Sequence, residues 1–238
     1  MKIALLGYGK MGQTIEAIAL QRGHDIVIRT SDIVPTETVI PEIKKADVAI
    51  DFSIPDAAFN NLSICINHNI PVISGTTGWL ESFPSIVKLC KEKNGAIIYA
   101  SNFSLGVNIF FELNKSLAKM MSALEDYHVD LEEIHHTQKL DAPSGTAISL
   151  AEGIIKNHPQ YQSWQLDGKA DKALPIVAKR IENIPGTHTI NYTSEVDTIT
   201  LEHTAHSRQG FALGAVVAAE WLVGKTGVFT MKDVLNIR

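Results

Sequence analysis

The chain has 238 residues, 45% hydrophobic and 20% charged, with a net charge of −5 from 21 Lys and Arg against 26 Asp and Glu. That is the make-up of an ordinary globular protein with enough interior for one large domain or two small ones; it argues against disorder, and no repeat is visible. An acidic balance without a basic patch argues against a nucleic-acid partner, because phosphate neutralisation needs clustered Lys and Arg.

Lys2 to Leu6 reads as a short apolar strand ending in glycines, followed by Met11, Ile15, Ile18 and Ala19 at helical spacing and a stop at Gly23. This opening run is too short for a secretory signal, which predicts a cytoplasmic protein. Asp25 to Thr30 reads as a second strand, with further strands at 48–52, 71–74 and 96–99 and helices near Asp56 to Asn67 and Phe83 to Lys93. These strands are almost continuously apolar, so both faces should be covered, as in a doubly wound parallel sheet of Rossmann type. Cys65 and Cys90 fall in the helical segments and read as two buried thiols in a reducing compartment.

After about residue 104 the pattern changes. A long helix over Val107 to Leu124 leads into Val129 to Ile134, and Thr187 to Tyr192 and Thr198 to Glu202 alternate like antiparallel strands with one solvated or inter-subunit face. A second α+β domain with a mixed sheet begins here. Phe211 to Val223 is the longest apolar stretch, but Glu220 interrupts it and it falls short of the ~20 residues that span a bilayer. It reads as a buried helix, with no membrane partner, and its period does not say which domain it closes.

Gly7-Tyr8-Gly9-Lys10-Met11-Gly12 matches G-x-G-x-x-G between the first strand and its helix, the setting in which backbone and helix N-terminus take a dinucleotide pyrophosphate. A turn of purely structural role is the alternative. After the second strand, Arg29 with Thr30 and Ser31 suits a 2′-phosphate, whereas Asp32 sits late for the acidic ribose partner; a polar loop with one solvated Arg is the plain alternative. The expected cofactor is therefore NADPH, or both NADPH and NADH. Gly75, Thr76 and Thr77 follow the fourth strand, and Ala100, Ser101, Asn102 and Phe103 the fifth, at the sheet edge where ligands bind in such folds. Either loop can also be mere turn chemistry. The fifth-strand loop leads out of the first domain, and hinges are expected near Ser104 and Gly210.

The most informative segment is Glu133-Ile134-His135-His136-Thr137-Gln138-Lys139-Leu140-Asp141-Ala142-Pro143-Ser144-Gly145-Thr146. Adjacent histidines in a strand point to opposite faces, so one site uses both only where the strand ends and the chain turns. Ser144 can cap a helix starting near Gly145, whose free N–H groups, with Lys139 nearby, suit a carboxylate, and a histidine there can deliver a proton. No metal is expected: H-E-x-x-H spacing is missing, no cysteine lies near, and a lysine repels a dication. His203 and His206 read as ordinary histidines, and Arg208 either reaches the substrate or pairs at a domain junction.

With the glycine loop, Gly-Thr-Thr-Gly, Asn-Phe-Ser and His-His-Thr-Gln-Lys-Leu-Asp-Ala-Pro-Ser-Gly-Thr in order, the chain resembles the dihydrodipicolinate reductase family of the diaminopimelate route to lysine. The resemblance runs nearly end to end. It implies a nucleotide domain (1–103 and 211–238), a tetramer-forming substrate domain (104–210), and reduction of (hydroxy)dihydrodipicolinate with a nicotinamide cofactor. It also implies His135 as proton donor, Lys139 as its partner, His136, Gly145 and Thr146 as contacts to a dicarboxylate, and cofactor contacts on the Gly7–Gly12, Gly75–Thr77 and Ala100–Phe103 loops. The chain departs from the family form in a glycine loop one residue shorter and in lacking the acidic residue after the second strand, so cofactor preference stays open. Another nicotinamide oxidoreductase of a small dicarboxylate or amino acid, or a dinucleotide-binding redox sensor, are the alternative functions.

Overall fold

A computed structural model of the chain describes every residue except Lys169, Arg208 and Arg238, so the expectation for Arg208 lies outside the described residues. The chain divides into two compact units, Met1–Leu105 with Gln209–Arg238, and Gly106–Arg208.

In the first unit, strands β1 (Lys2–Leu6), β2 (Asp25–Thr30), β3 (Val48–Asp51), β4 (Val72–Ser74) and β5 (Ala96–Tyr99) alternate with helices α1 (Lys10–Gln21), α2 (Ile40–Ile43), α3 (Pro55–Asn67) and α4 (Phe83–Glu92). The strands are apolar on both faces because both are covered. Ile3, Leu5, Val48, Ile50 and Ile98 form one layer with Ile15 and Ala19 of α1 and Ala215 and Ala219 from late in the chain, whereas Ala4, Leu6, Ala49, Val72 and Ile97 pack towards α3 and α4. Cys65 and Cys90 are free and buried in the second of these layers, where burial pushes both thiols up and keeps them protonated.

The second unit opens with α5 (Leu105–Met121), β6 (His128–His135), α6 (Gly145–Asn157), β7 (Ser163–Leu166), β8 (Ala173–Arg180), β9 (Gly186–Thr193) and β10 (Thr198–Ala205). Its five strands run in the order β10-β9-β6-β8-β7, antiparallel around β9 and parallel from β6 to β7. Every second residue of β6 and β9 is buried, against α5 and α6, through Val129, Leu131, Ile190, Tyr192, Leu150 and Ile154. The other face is polar and rich in threonine: Asn191 donates to Asp130, Thr200 to Asn191 and Thr189 to Glu202. The ring of His158, wholly buried beside those of Tyr161 and Tyr192, has no hydrogen-bond partner among the described residues, and burial lowers its pKa.

The chain then gives α7 (Gln209–Leu222), β11 (Gly227–Phe229) and α8 (Met231–Val234), all in the first unit. β11 adds in parallel beside β5, completing a six-stranded sheet in the order β11-β5-β4-β3-β1-β2. Small residues bring α7 close: a Cβ on Gly214 would sit 1.7 Å from the Phe103 carbonyl oxygen. Glu220, the one charge in this apolar helix, accepts from Nε and Nη2 of Arg22 (2.8 Å each) and faces Nε2 of His24 at 2.7 Å. This ties α7 to the end of α1. Glu220→Ala is expected to cost about 1 kcal/mol and lower the melting temperature by roughly 2–4 °C, read by thermal denaturation. Among the described residues no helix is long and apolar enough to cross a membrane.

Candidate active site

In the first unit the strand order reverses beside β1, whose neighbours β2 and β3 lead away in opposite directions. That is where ligands sit in open α/β sheets. A cavity of about 860 Å³ opens there, between the turns that follow β1, β2 and β3, with Gly7, Gly9, Thr30, Asp32, Phe52 and Asn60 in its wall. Gly7 adopts φ +95°, and a Cβ on it would meet the Phe52 carbonyl oxygen at 2.3 Å. A Cβ on Gly12 would stand 2.3 Å from the Gly7 oxygen, so this glycine lets α1 close onto the turn. At Gly9, the N-cap of α1, a Cβ would meet no atom within 4 Å. The three glycines thus serve as turn, packing point and open approach, the division of roles a pyrophosphate cradle requires, and the residues fit a dinucleotide.

Tyr8 donates its hydroxyl to Glu16 on α1, Lys10 is exposed, and Met11 packs against the core. Arg29 is paired rather than solvated, beside Tyr8 at the rim of this cavity. Alternation along β2 buries Thr30 and turns Arg29 towards α1, where Glu16 pairs with its guanidinium and Tyr8 stacks on it at 5.6 Å. The neighbouring cavity wall is lined instead by Ser31, Asp32 and Glu37.

Of the two loops after β4 and β5, Gly75 packs on the Phe52 ring, Thr77 and Ser101 are exposed, Ala100 is half-buried, and Asn102 accepts from the Ser104 amide. Phe103 is core, its ring 5.7 Å from that of Phe52. Thr76 is buried and donates to Asp51 (2.8 Å). Asp51 was not singled out by the sequence. It ends β3 fully buried and accepts from Ser53, Asn61, Ser74 and Thr76; burial raises its pKa against these four donors. An acid closing an otherwise apolar strand, Val-Ala-Ile-Asp, was the available signal.

In the second unit β6 ends at His135, and the chain turns there. His135 faces the core and is 7% exposed; His136, past the strand end, lines a pocket of about 400 Å³ with Thr137, Gln138, Glu182 and Asn183. The two imidazoles therefore stand on different sides of the strand end. Lys139 Nζ donates to both oxygens of Asp141 at 2.8 Å. Ser144 caps α6, its hydroxyl accepting from the Ala147 amide, and the first-turn residues Gly145 and Thr146 are exposed and half-buried.

Beneath this turn lies a network that motif reading missed. Glu133, wholly buried, accepts from Arg180 Nη2 on Oε1 (3.0 Å) and from the Ser144 amide on Oε2 (3.0 Å). Oε2 also faces His135 Nδ1 at 3.5 Å and His188 Nε2 at 3.7 Å. Arg180 reaches on to the carbonyl oxygens of Asp141 (2.7 Å) and Lys139 (3.3 Å), so it clamps the lysine turn onto β6. Burial opposes ionisation of Glu133, yet donation from His188 and Ser144 prevails and holds the carboxyl down to about 2. For His135, burial is the largest influence and takes the ring down to about 4 despite Glu133, with His188, Lys139 and Arg180 acting in the same direction. Ligand atoms of Glu133, His135 and His188 lie close enough to bridge a cation, but Arg180 and the Ser144 amide already answer the carboxylate, and two cationic side chains stand beside it. Only period-2 alternation hinted at this: Glu133 shares the buried face of His135, and His188 and Arg180 lie on the strands flanking β6. His203 lies against Gly106 and Phe110, and His206 is exposed.

A doubly wound sheet framing a glycine cradle, and a separate unit gathering imidazoles, an ammonium and a helix N-terminus, place the protein among NAD(P)H-dependent oxidoreductases. Two family models match, described as dihydrodipicolinate reductase, N-terminus, over residues 1–103 and dihydrodipicolinate reductase, C-terminus, over 106–235. The chain belongs to the dihydrodipicolinate reductase family. It is 59% identical over 236 residues to the 4-hydroxy-tetrahydrodipicolinate reductase of Christiangramia forsetii, covering 99% of this chain and 98% of that one. With the same enzyme of Neisseria gonorrhoeae it shares 34% over 230 residues, 93% and 84% of the two chains. A solved dipicolinate-bound dihydrodipicolinate reductase from Paenisporosarcina matches with a TM-score of 0.80 at 25% identity, covering 100% and 99% of the respective chains.

Proposed function

We propose that the protein reduces (hydroxy)dihydrodipicolinate to tetrahydrodipicolinate as a 4-hydroxy-tetrahydrodipicolinate reductase of the lysine and diaminopimelate route. The observation that carries the reading is the turn from His135 to Thr146, which follows the strand end at His135 with the Lys139 ammonium and the capped N-terminus of α6. A flat dicarboxylate is the ligand such a set recognises, and the Paenisporosarcina relative was solved with dipicolinate bound.

When bound, the nicotinamide cofactor supplies the hydride. The residues of the chain do the remainder. Gly7, Gly9 and Gly12 with the first turn of α1 take the pyrophosphate, and the loops at Gly75–Thr77 and Ala100–Phe103 shape the edge of the same sheet. Lys139, His136 and the Gly145 and Thr146 amides hold the substrate carboxylates. His135 gives a proton to quench the negative charge that develops on the substrate ring. Its ring rests neutral at pH 7, and two arriving carboxylates favour the protonated form, so the proton enters with the substrate.

Residues 1–103 and 211–238 act as the dinucleotide domain and 104–210 as the substrate and assembly domain. The polar, threonine-lined face of the second sheet supports a homotetramer built through it, and the free Cys65 and Cys90 fit the reducing cytoplasm. Asp32 and Glu37 in the cavity wall suit the ribose hydroxyls of NADH, and Arg29, resting on Tyr8 of the same wall, is within a side-chain turn of a 2′-phosphate, which supports use of both NADH and NADPH. The test is turnover of the substrate with each cofactor, followed by loss of reduced-nicotinamide absorbance. Oxidation of both is expected; binding of either without turnover would overturn the enzyme reading in favour of a redox sensor.

A further inference from the structure

A carboxylate with no exposure is uncommon unless something specific requires it. Arg180 and the Ser144 amide satisfy one lone pair on each oxygen of Glu133, and the remaining capacity of Oε2 is turned towards two imidazoles. Glu133 and His135 are two residues apart on β6 and so share its buried face. Among the described residues His135 Nδ1 is sealed from solvent without a hydrogen-bond partner, and it faces Glu133 Oε2 at 3.5 Å. Nε2, at the other edge of the ring, borders Gly186, where a Cβ would approach it to 3.1 Å. A glycine therefore keeps the outer edge of the ring clear.

We infer that Glu133 is a positioning residue for His135: its buried carboxylate draws Nδ1–H inward, so that Nε2 is the nitrogen offered to the substrate. This rests on the reductase reading given above. A carboxylate behind an imidazole fixes the tautomer and supplies the counter-charge on which an imidazolium forms in a dry place. Among the described residues the charged and titratable groups acting on His135 are Glu133 on its own strand, His188 on β9, Arg180 on β8 and Lys139 in the turn, and of these Glu133 alone favours the protonated ring. In turnover the proton taken up at Nε2 leaves for the substrate, the imidazole returns to neutral, and solvent reloads it.

The test is Glu133→Gln, which keeps the shape and an acceptor for Arg180 while removing the charge. Nitrogen-15 NMR of the ligand-free parent is expected to show His135 protonated on Nδ1, and the variant to move towards the Nε2–H tautomer. In turnover the variant should lose about 10- to 100-fold in kcat with little change in KM for the cofactor, and the alkaline fall of its kcat profile should move to lower pH. A purely structural Glu133 would move neither tautomer nor pH limb. An Nε2–H tautomer in the parent, or a variant with unchanged tautomer and pH limb, overturns the inference. Should the variant not fold, the tautomer of the parent decides alone. A parent protein that turns over no substrate refutes the reductase reading, while its tautomer still reports on Glu133.

Discussion

Glutamine at position 135 is expected to lower kcat by about 100- to 10,000-fold while leaving cofactor KM and the fold near those of the parent. Glutamine retains a polar group of similar reach but has no proton to exchange near neutrality. Steady-state kinetics with a cofactor titration reads the split, and a kcat within a few-fold of the parent would remove His135 from the chemistry. Stability gives a second readout. The folded ring titrates at about 4, below the ~6.5 of an unfolded histidine, so the unfolded chain binds the proton first. His135 therefore withdraws stability as pH falls from about 6.5 to 4. The buried His158, lowered in the same direction, adds to that loss. His135→Gln should melt less far below its neutral value at pH 5 than the parent does.

The glycine cradle supplies the second large effect, as a contrast between neighbours. Gly9→Ala places a methyl in open space on a backbone at φ −79° and ψ −163° that any residue adopts, so stability should hold within about 0.5 kcal/mol. Cofactor affinity should nevertheless fall tenfold or more, because the methyl stands where the pyrophosphate approaches. Gly7→Ala instead meets the Phe52 carbonyl oxygen from φ +95° and should destabilise the first unit by about 1–3 kcal/mol. Thermal denaturation beside a fluorescence titration with NADPH separates the two. Unchanged NADPH affinity in Gly9→Ala would end the dinucleotide reading of this turn.

The parallel sheet and its helices were legible because each strand is short, apolar and closed by Gly, Ser or Asp, and the glycine turn and the His135–Thr146 segment carry their chemistry in adjacent letters. What escaped was non-local. β7, only Ser163–Leu166 and half exposed, has no period to read, and β11 acquires its meaning from pairing with β5 far back in the chain. Glu133 stood in the quoted motif, but its partners Arg180 and His188 lie on strands whose register no local pattern gives. Arg29 illustrates the same limit: its partners are Glu16 on the helix before it and Tyr8 in the glycine turn, not the loop after it.

Strand β11 and helix α7 belong to the first unit but are synthesised only after Gly106–Arg208. While the ribosome makes that intervening stretch, the nascent sheet has α1 on one face but lacks the helix that covers Val48, Ile50 and Ile98, and its β5 edge is unpaired. At translation speeds of roughly 5–20 residues per second this interval lasts on the order of 10 s. It is the window in which the newborn chain is most prone to aggregate, and release of the last helix and strand closes it.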